Sequence, residues 1–326
     1  MENLGNRSIG HGRGLACFDD RSLKVLKFGG TSVGSVEQLR RVVGIICTTA
    51  RTHRVVVVTS AAAGVTDTLE EAVQAVAGGT FSREKVAKVL WTRYHILATG
   101  LLRPALLRMY ELFLQDVLRK QLQPLKLDTL AAKSDRLLAL GERLAAPLLA
   151  CALRDRGLDA LPHDAASLIR TDDTHRAALV DGPETYRLIR RWYEHLPVSS
   201  VPVVTGFIGA TSSGVTTTLG RGGSDYSAAL LAAALKAVVL ERWTDVDGLY
   251  THDPREHQQA VHMPRLVLEE AWAWNHAGRL GMHRNALDPL VEAQVPVHIR
   301  CTAAPGGTGT WVLPAGYEPS AVAVAS

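Results

Sequence analysis

The sequence predicts an α/β fold with a mostly parallel sheet and helices on both of its faces. Three observations predict it. Short apolar runs such as Val55–Thr59 carry no polar alternation, as strands buried on both faces require. Stretches with helical spacing separate these runs, and that alternation is the signature of parallel strands joined by crossovers. Segments rich in glycine and hydroxyls follow the strands directly, where ligands bind in such sheets.

Taken in order, Lys24–Phe28 reads as the first strand, followed by a tight turn and a helix to about Val43. Val55–Thr59 is the second strand, and Ser60–Asp67 a small-residue loop. From about Leu69 to Leu153 the chain is helix-rich. Asp159–Leu161 and Val201–Val204 suggest further strands, and a helix ends just before His195-Leu196-Pro197. Ser224–Lys236 is an alanine- and leucine-rich helix, and Val238–Trp243 the next strand. Glu269–Gly278 and Leu287–Gln294 read as helices, and Val297–Arg300 as a late strand. Crossovers between the parallel strands should be right-handed. The best internal seam is Leu196–Ser200, which divides the chain into a flexible arm (1–22), a first lobe (23–199) and a second lobe (200–326) sharing one sheet.

Composition narrows the function. At 326 residues and 47% hydrophobic, the chain can bury a substantial core. A net charge of +4 comes from intermixed charges, with no like-charge block and no basic stretch interleaved with aromatics, so nucleic acid is a poor partner. The four cysteines form no CxxC pair, which argues against zinc or a disulfide framework and fits thiols in a reducing, cytoplasmic compartment. No apolar stretch approaches the roughly 18 residues of a membrane span, and the polar N-terminal arm has no signal-peptide core.

Four clusters carry the chemistry. Lys27-Phe28-Gly29-Gly30-Thr31-Ser32 puts a cation, two glycines and hydroxyls between a strand and a helix. Glycine admits close backbone approach to an anion, and a helix N-terminus supplies free N–H groups. The residues alone leave open a plain turn with a solvated lysine. There is no GxxxxGK(S/T) phosphate loop. A GxSxG match at Gly30–Gly34 follows the first strand, whereas a hydrolase elbow needs several strands before it. Thr216-Thr217-Thr218-Leu219-Gly220-Arg221-Gly222-Gly223-Ser224-Asp225 opens the alanine-rich helix, and its arginine can clamp a carboxylate or phosphate through two parallel hydrogen bonds. Trp243–Arg255 follows a strand; alone it is equally an acidic loop with an Asp-Gly turn. Gly141-Glu142-Arg143 places a carboxylate at the start of a helix, where a helix-terminal charge is the simpler reading.

Together and in this order, the stretches KFGGTSVG, VVVTSAAAGVTD, GERLAA, TGFIGA, TTTLGRGGSDYSAALLA and WTDVDGLYTHDPR resemble the catalytic domain of the aspartokinases, within the amino-acid kinase superfamily, over roughly Leu23 to Val312. The resemblance implies a three-layer αβα sandwich whose first lobe binds the amino acid and whose second binds ATP. It implies transfer of the ATP γ-phosphoryl group to L-aspartate, with magnesium, and a homodimer. On this resemblance Lys27 would neutralise the transferred group and Asp225 would orient Lys27 or the substrate amine. Gly29, Gly30 and Ser32 would line the phosphate site. Ser60, Thr66 and Ser224 would meet the substrate, Glu142 its ammonium and Arg221 its other carboxylate. Thr244, Asp245, Tyr250 and Arg255 would bind nucleotide. A carboxylate nucleophile needs no general base, so the twelve histidines are given no catalytic role.

The pattern breaks in two places. The family's GAKVLHPR-like stretch reads Gly278-Arg279-Leu280-Gly281-Met282-His283-Arg284-Asn285, so Leu280 stands where a lysine is expected near the ATP phosphates, with Arg279 or Arg284 as possible substitutes. Trp272 and Trp274 nearby either pack between helix and sheet or reshape the site. The chain also stops about fourteen residues after Val312, leaving no room for the regulatory ACT domains of typical aspartokinases; no feedback inhibition through them is expected. A related kinase for an aspartate analogue or another small amino acid in a specialised pathway, and a catalytically weak partner subunit, are the alternative readings.

Overall fold

The computed structural model describes residues 21–123, 129–252, 257, 259–278, 280 and 282–317. Strand β1 (Leu23–Phe28) runs through a 3-10 turn at Gly30–Val33 into α1 (Val36–Thr49), which Ser35 caps by accepting from the Gln38 N–H. Strand β2 (Arg54–Thr59) leads to α2 (Val65–Ala77), so the expected 60–67 loop is shorter: Gly64, at φ 80°, turns the chain into a helix that starts at Val65. Then follow α3 (Arg83–Leu101), α4 (Pro104–Gln121), α5 (Leu130–Leu138) and α6 (Leu140–Arg154). Strand β3 (Ala160–His163) and α7 (Gly182–Glu194) precede β4 (Val201–Thr205). A hairpin of β5 (Ile208–Ala210) and β6 (Thr216–Thr218) opens onto α8 (Gly223–Ala234) and β7 (Val239–Thr244). The remainder comprises β8 (Leu249–Tyr250), β9 (His262–Met263), β10 (Arg265–Val267), α9 (Leu268–His276), α10 (Asp288–Ala293), β11 (Val297–Cys301) and β12 (Thr310–Leu313).

Eight strands form the central sheet in the order β10-β12-β11-β7-β1-β2-β4-β3, all neighbours parallel except β11 with β12. β1 is central, with β2 on one side and β7 on the other. β4, the first strand after the 196–200 seam, is paired between β2 and β3, so the later part of the chain reaches into the sheet half built by the earlier part.

Two apolar layers enclose the sheet. Leu26, Phe28, Val57 and Trp243 face a layer built from α1, α3, α4 and α6. Val25, Val58, Leu240 and Ile299 face α8, α9 and α10. Burying each such Leu or Phe contributes about 1.5–3 kcal/mol. α8 is buried around its whole circumference, which is why its sequence is alanine and leucine without a polar stripe. Among the described residues no helix is long and apolar enough to cross a membrane.

Candidate active site

The C-terminal ends of the central strands converge on one edge of the sheet. The Gly29 N–H donates to the Trp243 carbonyl at 3.4 Å, Ser60 N–H to the Phe28 carbonyl at 3.1 Å, and Gly206 N–H to the Thr59 carbonyl at 2.9 Å. These bonds lock the turns after β1, β2, β4 and β7 side by side. Gly30 is needed there, because a Cβ at that position would lie 2.9 Å from the Ala61 carbonyl oxygen. Its neighbour Ser32 is buried, its hydroxyl 2.7 Å from the Thr302 hydroxyl in the turn after β11.

Lys27 and Asp225 form the centre. Lys27 Nζ lies 2.7 Å from Asp225 Oδ1, and both side chains are 10% exposed or less. Burial pushes the Lys27 ammonium below its usual range; Asp225 opposes this and Arg242 adds to it. Burial alone would raise the Asp225 carboxyl, but the Arg242 and Lys27 cations outweigh it and hold the group ionised. The first turn of α8 is also the favourable end of a helix dipole for this carboxylate.

Glu142 enters from the other layer. Tyr94 Oη donates to the Gly141 carbonyl at 2.6 Å, fixing the start of α6. Glu142 Oε1 accepts from the Ala61 N–H at 3.0 Å. Burial pushes its carboxyl up to about 7, against the Ala61 N–H and the Lys27 charge. Among the described residues Glu142 has no ion-pair partner within salt-bridge distance, so a buried carboxyl is left near Lys27 without a paired cation in contact.

The turn into α8 packs tightly. Gly222 adopts φ 76°, and a Cβ there would meet the His283 backbone nitrogen at 2.6 Å. The 282–285 segment therefore lies directly against this turn, with His283 Nε2 2.9 Å from the Leu219 carbonyl and its ring stacked on Tyr226. Ser224 is buried against Gly206, whereas Arg221 on the same turn is exposed and makes no ion pair among the described residues. Thr66 is likewise exposed, on the first turn of α2.

The loop after β7 begins at Thr244, whose hydroxyl donates to Asp245 Oδ1 at 3.0 Å. Tyr250 Oη donates to Asp247 Oδ1 at 2.8 Å, so this tyrosine is held by its own loop. Arg255 and Arg279 lie outside the described residues. Leu280 is buried in the core facing α8, and Arg284 is exposed with Nε 3.4 Å from His276 Nδ1. Trp272 is 40% exposed and donates to Asp288 Oδ1 at 2.6 Å, while Trp274 packs against the core.

The sequence reading missed Arg242. Its Nε stands 3.4 Å from Asp225 Oδ1, directly beside Lys27 in the β1–β7 register. The signal was present: Glu241-Arg242 puts adjacent charges inside an otherwise apolar central strand. Glu241 points to the opposite layer, where it meets Lys24 at 3.1 Å and Trp243 Nε1 at 3.0 Å.

The chain is similar to several kinases of amino acids. An aspartokinase of Chlamydia pneumoniae is 33% identical over 299 residues, covering 90% of this chain and 64% of that protein. The lysine-sensitive aspartokinase 3 of Escherichia coli K12 is 33% identical over 293 residues, covering 88% of this chain and 63% of the relative. The crystal structure of E. coli aspartokinase III in complex with aspartate and ADP superposes with a TM-score of 0.74 at 31% identity, covering 91% of this chain and 66% of the other. The chain thus spans just under two thirds of the length of these relatives. Residues 22–301 match the amino acid kinase family, and with the sheet and strand-end site described above, the chain belongs to that family.

Proposed function

We propose that this protein transfers the γ-phosphoryl group of ATP to the side-chain carboxylate of L-aspartate, giving 4-phospho-L-aspartate and ADP. The observation that carries the reading is the pair of opposed environments at the strand ends. A buried lysine is held by an aspartate at 2.7 Å, and near it a buried glutamate has no ion-pair partner within salt-bridge distance among the described residues. The first suits a phosphoryl group, the second an amino acid's ammonium. The similar E. coli structure, with aspartate and ADP bound, supports the same assignment.

In this reading Glu142 pairs with the ammonium and Arg221 swings from solvent onto the α-carboxylate, with Ser60, Thr66 and Ser224 around them. One oxygen of the side-chain carboxylate attacks the γ-phosphorus. A new P–O bond forms, the bond to the β,γ-bridging oxygen breaks, and the electron pair leaves on ADP. No proton moves, so no general base is needed, and alignment and charge neutralisation are the whole task. Lys27, held by Asp225, neutralises the transferred group, and Gly29, Gly30 and Ser32 line its path. Thr244, Asp245, Tyr250 and Arg255 take the nucleotide. Magnesium carried by ATP would add charge neutralisation. In this reading residues 23–199 supply the amino-acid side, joined by Arg221 and Ser224, and residues 200–326 the nucleotide side, joined by Gly29, Gly30 and Ser32 along the phosphate path.

Hydroxylamine trapping of the acyl phosphate tests this. L-Aspartate with ATP should give a hydroxamate, and Lys27→Ala should abolish it. A signal only with an aspartate analogue would move the acceptor, and no signal with any amino acid would refute the assignment.

A further inference from the structure

Asp225 holds two cations, not one. Lys27 Nζ at 2.7 Å and Arg242 Nε at 3.4 Å approach the same oxygen, Oδ1. Lys27 and Arg242 are direct partners in the parallel register of β1 and β7. Asp225 alone cannot neutralise both, and the nearby Glu142 carboxylate opposes the Lys27 charge rather than that of Arg242, so the Arg242 side keeps a buried positive charge that is costly unless an anion comes to it. The Arg242 side chain is 15% exposed, enough to reach a bound ligand yet largely removed from water.

Only the Nε edge of the guanidinium faces Asp225; its Nη groups make no hydrogen bond among the described residues. Glu142 lies on the β2 side of Lys27, hydrogen-bonded to Ala61, and Arg242 lies on the β7 side. Charges therefore run across the sheet as carboxylate, lysine, arginine. β7 ends at Thr244, two residues after Arg242, where the proposed nucleotide loop begins. Leu280, buried in the α8-facing core, adds no charge from the segment packed against the α8 turn.

We propose that Arg242 is a catalytic residue that binds ATP's phosphates on the nucleotide side, its Nη groups on the β-phosphate and the β,γ-bridging oxygen. It neutralises the charge ADP gains as the bond to the γ-phosphorus breaks, while Lys27 covers the transferred group. Asp225 holds both cations in place. This inference rests on the phosphoryl-transfer reading above.

Two measurements on Arg242→Gln and Arg242→Lys test it: steady-state kinetics with ATP and aspartate varied separately, and the affinity for fluorescent ADP without amino acid. Losing one pre-placed charge donor should lower kcat/KM for ATP by about 10²–10³-fold, with KM for aspartate changed by less than about threefold. ADP affinity should fall about tenfold or more. Arg242→Lys should recover part of both, since it restores charge without the fork. A residue that only props Asp225 would leave ADP affinity unchanged in Arg242→Gln, and that result overturns the proposal, as does kcat/KM for ATP within about threefold of the parent. Should Arg242→Gln not fold, Arg242→Lys decides by the same readouts with its melting temperature as control. A parent chain that binds ADP but phosphorylates no amino acid refutes the assigned reaction, and the ADP affinities of the variants still judge Arg242.

Discussion

Replacing Glu142 with glutamine should make the protein's stability respond differently to pH, and the size of the effect follows from its burial. The Glu142 carboxyl is raised from 4.5 to about 7 in the folded chain. For an acid raised in this way, the folded state binds the proton more tightly than the unfolded state. Its contribution is therefore fully present below about pH 4.5 and lost as pH rises through about 7, a change of about 3 kcal/mol. Glutamine does not titrate. It keeps an oxygen for the Ala61 N–H, and any cost of its buried amide is the same at every pH. The melting temperature of Glu142→Gln relative to the parent should thus climb by about 4 °C between pH 4.5 and pH 8. Differential scanning calorimetry across that range is the assay. A substrate ammonium would favour the ionised carboxylate, so aspartate binding near pH 6 should release up to about one proton from the parent and none from this group in the variant. Titration calorimetry in buffers of different ionisation enthalpy reads that proton. A melting difference that stays flat from pH 4.5 to 8 would refute the reasoning about burial.

Lys27→Ala should lower kcat by at least about 10²-fold while the chain stays folded, because Arg242 still pairs with Asp225; circular dichroism and ADP release check both parts. Gly30→Ala drives a Cβ to 2.9 Å from the Ala61 carbonyl, so thermal unfolding should show a loss of about 1–3 kcal/mol and activity should fall with it; parent-like behaviour in both would show that the turns can part freely. Asp135 is fully buried and accepts from Thr218 Oγ1 at 2.7 Å and the Arg176 N–H at 3.0 Å, with His175 Nδ1 at 2.6 Å; Asp135→Ala should cost about 3–5 kcal/mol in urea unfolding, and a loss below about 1 kcal/mol would contradict it.

The parts of the fold that announce themselves in the sequence are those with a strong local signal. β1, β2, β4, β7 and β11 are apolar runs bounded by turn residues, and each boundary lies within one residue of the one expected. β5, β6, β10 and β12 are only three or four residues long, too short to set a period against their surroundings. Thr216–Thr218 reads naturally as part of a polar phosphate loop, yet it pairs with Ile208–Ala210. Strand order is carried by contacts across the chain and has no local signature at all, so β4 between β2 and β3 had to be seen. In the site, Lys27, Asp225 and Glu142 stood out through their motifs. Arg242 did not: adjacent charges in an apolar strand mark it as unusual, but its meaning comes from Lys27 on β1, six strands earlier in the chain, and from Asp225 on α8.

The placement of β1 governs how the chain can be made. Of the described strands it is made before the others, but its pairing edge for β7 stays open until synthesis passes Val239, roughly 10–40 s later at ordinary translation rates. During that interval the nascent chain presents a bare, apolar sheet edge of the type that recruits other strands. Nor can β3 join the sheet before β4 exists to bridge it to β2. Cutting the gene near residue 200 would therefore yield two fragments with incomplete sheets rather than two working modules. The strand ends that make up the candidate site are folded and lost as one unit.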